Sequence, residues 1–196
     1  MNILGIVCSP KKGRHTDTLV DAVAAGALGD GDTYEKIYIN DLKFVPCQDC
    51  GYCRRVNGCC YRDDMQMVYD RLMEADGIIV GAPTYYGSLN AQAKMFIDRC
   101  NRFIDYVDNG DETWTFASRI PDRKYLVFAG TNGSFGPDCV DGQIQVIRHL
   151  CNDLNAEYVG DVFGHQTDYR PVADHDELLD EARRMGNRLA AAIGSR

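Results

Sequence analysis

Short apolar runs alternate along the chain with longer stretches in which apolar residues return every three or four positions. Asn2 to Cys8 (NILGIVC) is almost continuously apolar, the pattern of a strand buried on both faces. Thr16 to Leu28 is rich in alanine, with Leu19, Val20 and Val23 on one side, and predicts a helix. Thr33 to Asn40 (TYEKIYIN) alternates and reads as a second strand. Gly77 to Ala82 (GIIVGA), Lys124 to Gly130 (KYLVFAG) and Glu157 to Phe163 supply a third, fourth and fifth. Helices are expected between them. One runs from a cap at Asp63 or Asp64 to about Ala75. The next spans Asn90 to about Asp105, where Ala93, Phe96, Ile97, Cys100, Phe103 and Ile104 recur at helical spacing. Another follows Val140, Ile144, Ile147, Cys151 and Leu154. Asp174 with Glu177 reads as the capping pair of a last helix carrying Leu178, Ala182, Met185, Leu189 and Ile193. Residues 107–122 look polar and irregular, with Asn109-Gly110 as a turn signal.

Five strands alternating with five helices predict an α/β fold, a parallel sheet covered on both faces. Right-handed crossovers leave few topologies, and the flavodoxin-like order 2-1-3-4-5 leads among them. A ligand would then bind where the loops after strands one and three diverge. The 196 residues suffice for one domain, 1–196, and contain no repeat or linker that would split it.

A segment from Asp41 to Arg62 interrupts this alternation and holds Cys47, Cys50, Cys53, Cys59 and Cys60, spaced C-x2-C-x2-C-x5-C-C. Thiolates so close can converge on one soft metal centre, an iron–sulfur cluster or zinc, or remain redox-sensitive free thiols. Structural zinc sites usually gather two separated knuckles, whereas the first three cysteines here form one tight run. Gly51 and Gly58 suit a loop wrapped round a cuboid centre. Cys8, Cys100 and Cys151 lie on apolar faces and read as small core residues, and Cys139 stands near a helix start. His149, His165 and His175 show no ligand spacing and are expected at the surface or in the core.

The formal net charge of −8 argues against nucleic acid as a partner. No apolar run reaches a membrane span and no signal-peptide pattern opens the sequence, so a cytoplasmic protein without membrane contact is expected. An odd total of nine cysteines in a reducing compartment suits metal ligands and buried thiols better than disulfides.

Three loops carry the remaining chemistry. Ser9 to Thr16 (SPKKGRHT) joins the first strand to a helix N-terminus, where unpaired amides, two hydroxyls and three cations can hold a phosphate, or form an ordinary polar loop. Its spacing matches neither the dinucleotide fingerprint nor the P-loop, and a phosphate on a smaller ligand such as a flavin mononucleotide fits better. Pro83-Thr84-Tyr85-Tyr86-Gly87-Ser88 follows the third strand and can flank a planar ring, although any one Tyr is by default a half-buried surface aromatic. Gly130-Thr131-Asn132-Gly133-Ser134-Phe135-Gly136 permits close backbone approach to a ligand, or is a turn without one. Lys94, Asp98 and Arg99 are expected to be solvated or to pair locally, and no nucleophile–base pair stands out.

Together these segments carry a resemblance. SPKKGRHT resembles the S-P-R-K-x-x-N-T phosphate loop of the NADPH-dependent FMN reductase superfamily, with Lys11 for Arg, His15 for Asn, and Cys8 where a Gly commonly precedes. Gly81 to Arg99 (GAPTYYGSLNAQAKMFIDR) is similar to that family's P-x-Y…K-x-F-x-D-R segment. The cysteine run followed by Asp63-Asp64-Met65 resembles the iron–sulfur flavoprotein branch. The resemblance implies an FMN-dependent oxidoreductase that passes electrons between a [4Fe–4S] cluster and FMN. Its phosphate would be held by Ser9, Lys11, Lys12, His15 and Thr16, and its ring would rest near Pro83, Thr84, Tyr85, Tyr86 and Gly87. Gly130 and Thr131 are further cofactor candidates. Cys47, Cys50, Cys53 and Cys59 would ligate the cluster, with Cys60 as the rival fourth ligand. Ferredoxin or NAD(P)H would be the donor and a small molecule such as a quinone the acceptor. A homo-oligomer, dimer or tetramer, is implied. Alternatives are a cluster-free NAD(P)H-dependent FMN or quinone reductase and a non-enzymatic electron carrier.

Overall fold

The computed structural model describes residues 1–134, 136–137 and 140–195. Cys139 lies outside them. Five parallel strands form the central sheet: β1 (Asn2–Val7), β2 (Thr33–Tyr38), β3 (Gly77–Tyr85), β7 (Lys124–Thr131) and β8 (Ala156–Gly164). They lie in the order β2-β1-β3-β7-β8, the expected 2-1-3-4-5. Strand β4 (Ser88–Leu89) adds a short antiparallel ladder to the end of β3.

Helices α1 (His15–Ala27) and α6 (Asp176–Gly194) cover one face of the sheet. Leu19, Val20, Val23, Leu189 and Ile193 pack there against Ile3, Val7 and Ile79. Helices α3 (Met65–Glu74), α4 (Ala91–Arg99) and α5 (Asp141–Asp153) cover the other, around Ile6, Ile78, Val80, Leu126 and Phe128. Strands buried on both faces must be apolar throughout, which is why β1, β3 and β7 read as continuous runs. Where α1 crosses α6 the backbones almost touch. A Cβ on Gly186 would stand 2.0 Å from the Val23 carbonyl oxygen.

Three expectations need correction. The helix predicted from Asn90 to Asp105 ends at Arg99, continues as a 3₁₀ turn over Cys100–Phe103, and gives way to β5 (Ile104–Asp108). The buried Cys100 and Phe103 keep the helical spacing because a 3₁₀ turn also returns an apolar face every third residue. Residues 107–122 are not irregular: β5 pairs with β6 (Trp114–Ser118) as an antiparallel hairpin. Its alternation is hard to see because Val107, Trp114 and Phe116 are exposed apolar residues. At α6 the cap is His175, whose Nδ1 accepts from the Leu178 amide at 3.3 Å, rather than Asp174.

Candidate functional site

The loops after β1, β3 and β7 gather at the C-terminal ends of adjacent strands, the crossover of a doubly wound sheet. Gly13 takes a φ of +65°, a region favouring glycine, and its amide donates to Asp17 Oδ2 at 2.6 Å. Asp17 is buried within the first turn of α1 and also accepts from Lys36 Nζ at 2.6 Å and Tyr38 OH at 3.0 Å. Burial alone would raise its carboxyl. The bonds from Lys36, Gly13 and Tyr38 outweigh that and hold it below the usual carboxylate range. Asp17 thus shapes the loop. Sequence gives no sign of this, since a helical Asp ordinarily reads as solvated.

Within the loop, Ser9 Oγ accepts from the Lys11 amide at 3.2 Å and is nearly buried. Lys11 is exposed. Lys12 pairs with Asp41 and lies over the Tyr38 ring, 4.6 Å from its centroid. His15 Nδ1 accepts from the Val172 amide at 3.3 Å, so that nitrogen is unprotonated. Burial, then the Arg14 charge, lowers the His15 pKa. Thr16 Oγ1 meets Thr131 Oγ1 at 2.6 Å, tying the first loop to the end of β7. The amides of the first turn of α1 have no intrahelical partner, which with the helix dipole suits an anion.

In the second loop, Tyr85 pairs with Ser88 across a two-residue turn. Tyr86 (φ +52°) and Gly87 (φ +71°) both take positive φ, as a type I′ turn requires. Tyr86 has no Cβ-free excuse for this conformation, and its ring is fully exposed beside Tyr85. Pro83 is half-buried, and Thr84 Oγ1 accepts from Gln143 Nε2 at 2.6 Å. Gln143 is completely buried and its Oε1 has no partner. Asn90, buried at the start of α4, donates to the Cys8 carbonyl at 2.8 Å while its Oδ1 is also unpaired. Two orphaned acceptors beside this loop fit a polar ligand there. Gly130 is different: the place of its missing Cβ is filled by Phe163, 2.1 Å away, so packing alone requires glycine.

All five loop cysteines line one cavity with Tyr52, Tyr61, Arg99, Asn101 and Arg102. Gly51 (φ +68°) and Asp49 (φ +45°) turn the backbone round it, and the one-turn helix α2 (Tyr52–Arg55) follows Gly51. Cys50 and Cys60 stand 3.5 Å apart, sulfur to sulfur, on the exposed side. Cys53 Sγ accepts from Asn101 Nδ2 at 3.7 Å and Cys59 Sγ from Arg99 Nη2 at 3.5 Å. Among the described residues no three His, Cys, Asp or Glu side chains group closely enough for a single metal ion. One tetrahedral zinc would draw its thiolates to about 3.8 Å from one another. A cuboid cluster spreads its four thiolates over four irons, and the donor set lining this cavity, five cysteines, is of the chemical kind such a cluster takes. Cys8, Cys100 and Cys151 are buried core thiols as expected, and burial pushes Cys151 up to about 12.

Arg99 was expected in solvent or in a local pair. Lys94 and Asp98 do pair locally, but Arg99 is buried and bound to Asp63 by two hydrogen bonds of 2.7 and 2.9 Å. Arg119 Nη1 likewise donates to the carbonyls of Cys53 at 2.8 Å and Arg102 at 3.1 Å, strapping the β5–β6 hairpin to the cysteine loop. Arg99 stands out in sequence only as the end of the K-x-F-x-D-R segment, with no sign of its partners, and Arg119 not at all, because an Arg at a helix end or beside a turn reads as surface.

Sheet order and crossover cleft define a flavodoxin-like α/β protein. A solved flavone reductase shares the fold with a TM-score of 0.74 at 20% identity, over 99% of this chain and 63% of that one. The NADPH-dependent FMN reductase family matches residues 1–167, and the chain belongs to it. An iron–sulfur flavoprotein of Archaeoglobus fulgidus is 35% identical over all of this chain and 82% of its own length. Another, of Methanosarcina thermophila, is 38% identical over 99 residues, 50% of this chain and 52% of that protein. The chain thus spans about half the length of some curated relatives it matches.

Proposed function

We propose that the chain is an FMN-dependent oxidoreductase that passes electrons between a [4Fe–4S] cluster and FMN. The observation that carries this reading is the convergence of five cysteines on one cavity in a chain whose crossover cleft keeps two buried acceptors unpaired. FMN takes one or two electrons and a [4Fe–4S] cluster one at a time, so the pair divides a two-electron step into single transfers. The protein's own residues bind and orient. Ser9, Lys11, Lys12, His15 and Thr16, with the first-turn amides of α1, hold the phosphate. Pro83, Thr84, Tyr85, Tyr86 and Gly87 would flank the ring, with the backbone at Gly130 and Thr131 as a further contact. Cys47, Cys50, Cys53 and Cys59 hold the cluster.

The donor is NAD(P)H or reduced ferredoxin, and the acceptor a small oxidant such as a quinone. The single domain works in the cytoplasm as a homo-oligomer. Among the described residues no helix is long and apolar enough to cross a membrane.

The test is an anaerobic absorbance spectrum of purified protein with FMN, iron and sulfide counted per chain. Flavin absorbance with a broad thiolate–iron shoulder, and four irons with four sulfides, is expected. A colourless chain sinks the reading. Flavin without iron, with NAD(P)H turnover untouched by Cys50→Ser, replaces it with a cluster-free reductase.

A further inference from the structure

We propose that Arg99 is the positioning residue of the cluster site: it braces the cysteine loop at both ends and, by donating to Cys59 Sγ, holds that sulfur in place for the cluster. This rests on the reading that the loop binds a cluster. A guanidinium carries five N–H donors in a fixed planar fork. Here each direction has an acceptor. Nε donates to Tyr69 OH at 3.2 Å. Nη1 donates to the Val45 carbonyl at 2.7 Å and to Asp63 Oδ2 at 2.7 Å. Nη2 donates to Asp63 Oδ1 at 2.9 Å and to Cys59 Sγ at 3.5 Å.

Val45 precedes the first cysteine of the loop and Asp63 follows the last. One buried side chain therefore closes the loop like a clasp, and the rings of Tyr61 and Phe44 lie 5.3 and 6.0 Å from the guanidinium carbon. Its side chain is 1% exposed, so its charge is met by these partners rather than by water. Cys59 and Cys60 are adjacent, but this clasp treats them differently. The Cys59 sulfur is half-buried under a cation. The Cys60 sulfur is exposed and turned toward Cys50.

Two consequences follow for a bound cluster. A cation hydrogen-bonded to a ligand sulfur stabilises the more negative, reduced form and so raises the potential. A fork engaged on all sides holds Cys59 where iron must find it, lowering the ordering needed on binding. Lysine keeps the charge but presents a single ammonium, which cannot reach Val45, Asp63 and Cys59 together.

The experiment uses the full chain reconstituted anaerobically with iron and sulfide. Asp63→Asn keeps the Arg99 cation but weakens its anchor, and should loosen cluster retention against a chelator. Arg99→Lys should weaken cluster retention against a chelator by roughly 10–100-fold. It should also lower the midpoint potential, followed by electron paramagnetic resonance, by a tenfold change in the reduced-to-oxidised ratio, about 59 mV for one electron. Wild-type cluster retention in Asp63→Asn overturns the proposal, as does an Arg99→Lys potential equal to wild type. Asp63→Asn leaves the guanidinium in the chain and decides the point even if Arg99→Lys does not fold. A wild-type chain that takes up no iron overturns the cluster reading itself, whereas four irons with an indifferent Arg99 overturns this inference alone.

Discussion

Replacing Asp17 by Asn tests whether the phosphate loop is shaped from inside α1. In the wild type, one carboxylate oxygen accepts from Gly13 N and Tyr38 OH and the other from Lys36 Nζ. An asparagine has one acceptor oxygen and one NH₂. If its oxygen faces Gly13 and Tyr38, its NH₂ meets the Lys36 ammonium, donor against donor. A hydrogen bond to a charged group is worth about 1.5–3 kcal/mol. Lys36 falls back on Asp21, whose carboxylate oxygens lie 2.7 and 2.8 Å away but half in solvent, a pair worth at most about 1 kcal/mol and already present. The expected net loss is therefore about 2 kcal/mol, close to a thirtyfold change in the folded-to-unfolded ratio.

The pH dependence has a definite sign. The Asp17 carboxyl is held below its usual value in the fold, so its contribution is fully present above about pH 4 and disappears as pH falls through the folded value. Urea unfolding of the wild type and Asp17→Asn at pH 7, and again at pH 5, 4 and 3.5, measures this. The gap should be near 2 kcal/mol at pH 7 and narrow at the acid end. A gap under about 0.5 kcal/mol at pH 7, or one that widens toward acid, refutes the reasoning. FMN retention should weaken in the same variant because Gly13 loses its anchor.

Asp153 titrates in the opposite sense: burial pushes its carboxyl up to about 7, so stability is fully present below about pH 4 and is lost as pH rises toward 7. Asp153→Asn should be more stable than wild type by about 1–3 kcal/mol at pH 8 and equal to it at pH 4 in the same unfolding assay. Gly186→Ala should destabilise by about 1–3 kcal/mol or more, seen as a lower Tm, because its Cβ would strike the Val23 carbonyl, which is helix backbone and cannot yield. Arg119→Gln should release the hairpin from the cysteine loop, with faster amide exchange across residues 104–118 and a stability loss of about 1–3 kcal/mol.

The central sheet was legible because its strands are buried on both faces, and continuous apolar runs such as Gly77 to Ala82 admit few other readings. The crossover cleft followed from strand order, and the cysteine cavity from ligand spacing along the chain. The β5–β6 hairpin escaped because both of its faces carry exposed apolar residues, which breaks the alternation that betrays a half-buried strand.

Sequence alone determined the layer architecture, the place of the three polar loops and the clustering of thiols, since all of these follow from periodicity and local spacing. Tertiary structure alone decided that Arg99 clasps Val45, Asp63 and Cys59, that Asp17 reaches back to Gly13 and across to Lys36, and that Thr16 meets Thr131. Those partners stand from 4 to 115 residues apart, and a charged side chain carries no local mark of whether water or a distant partner will satisfy it.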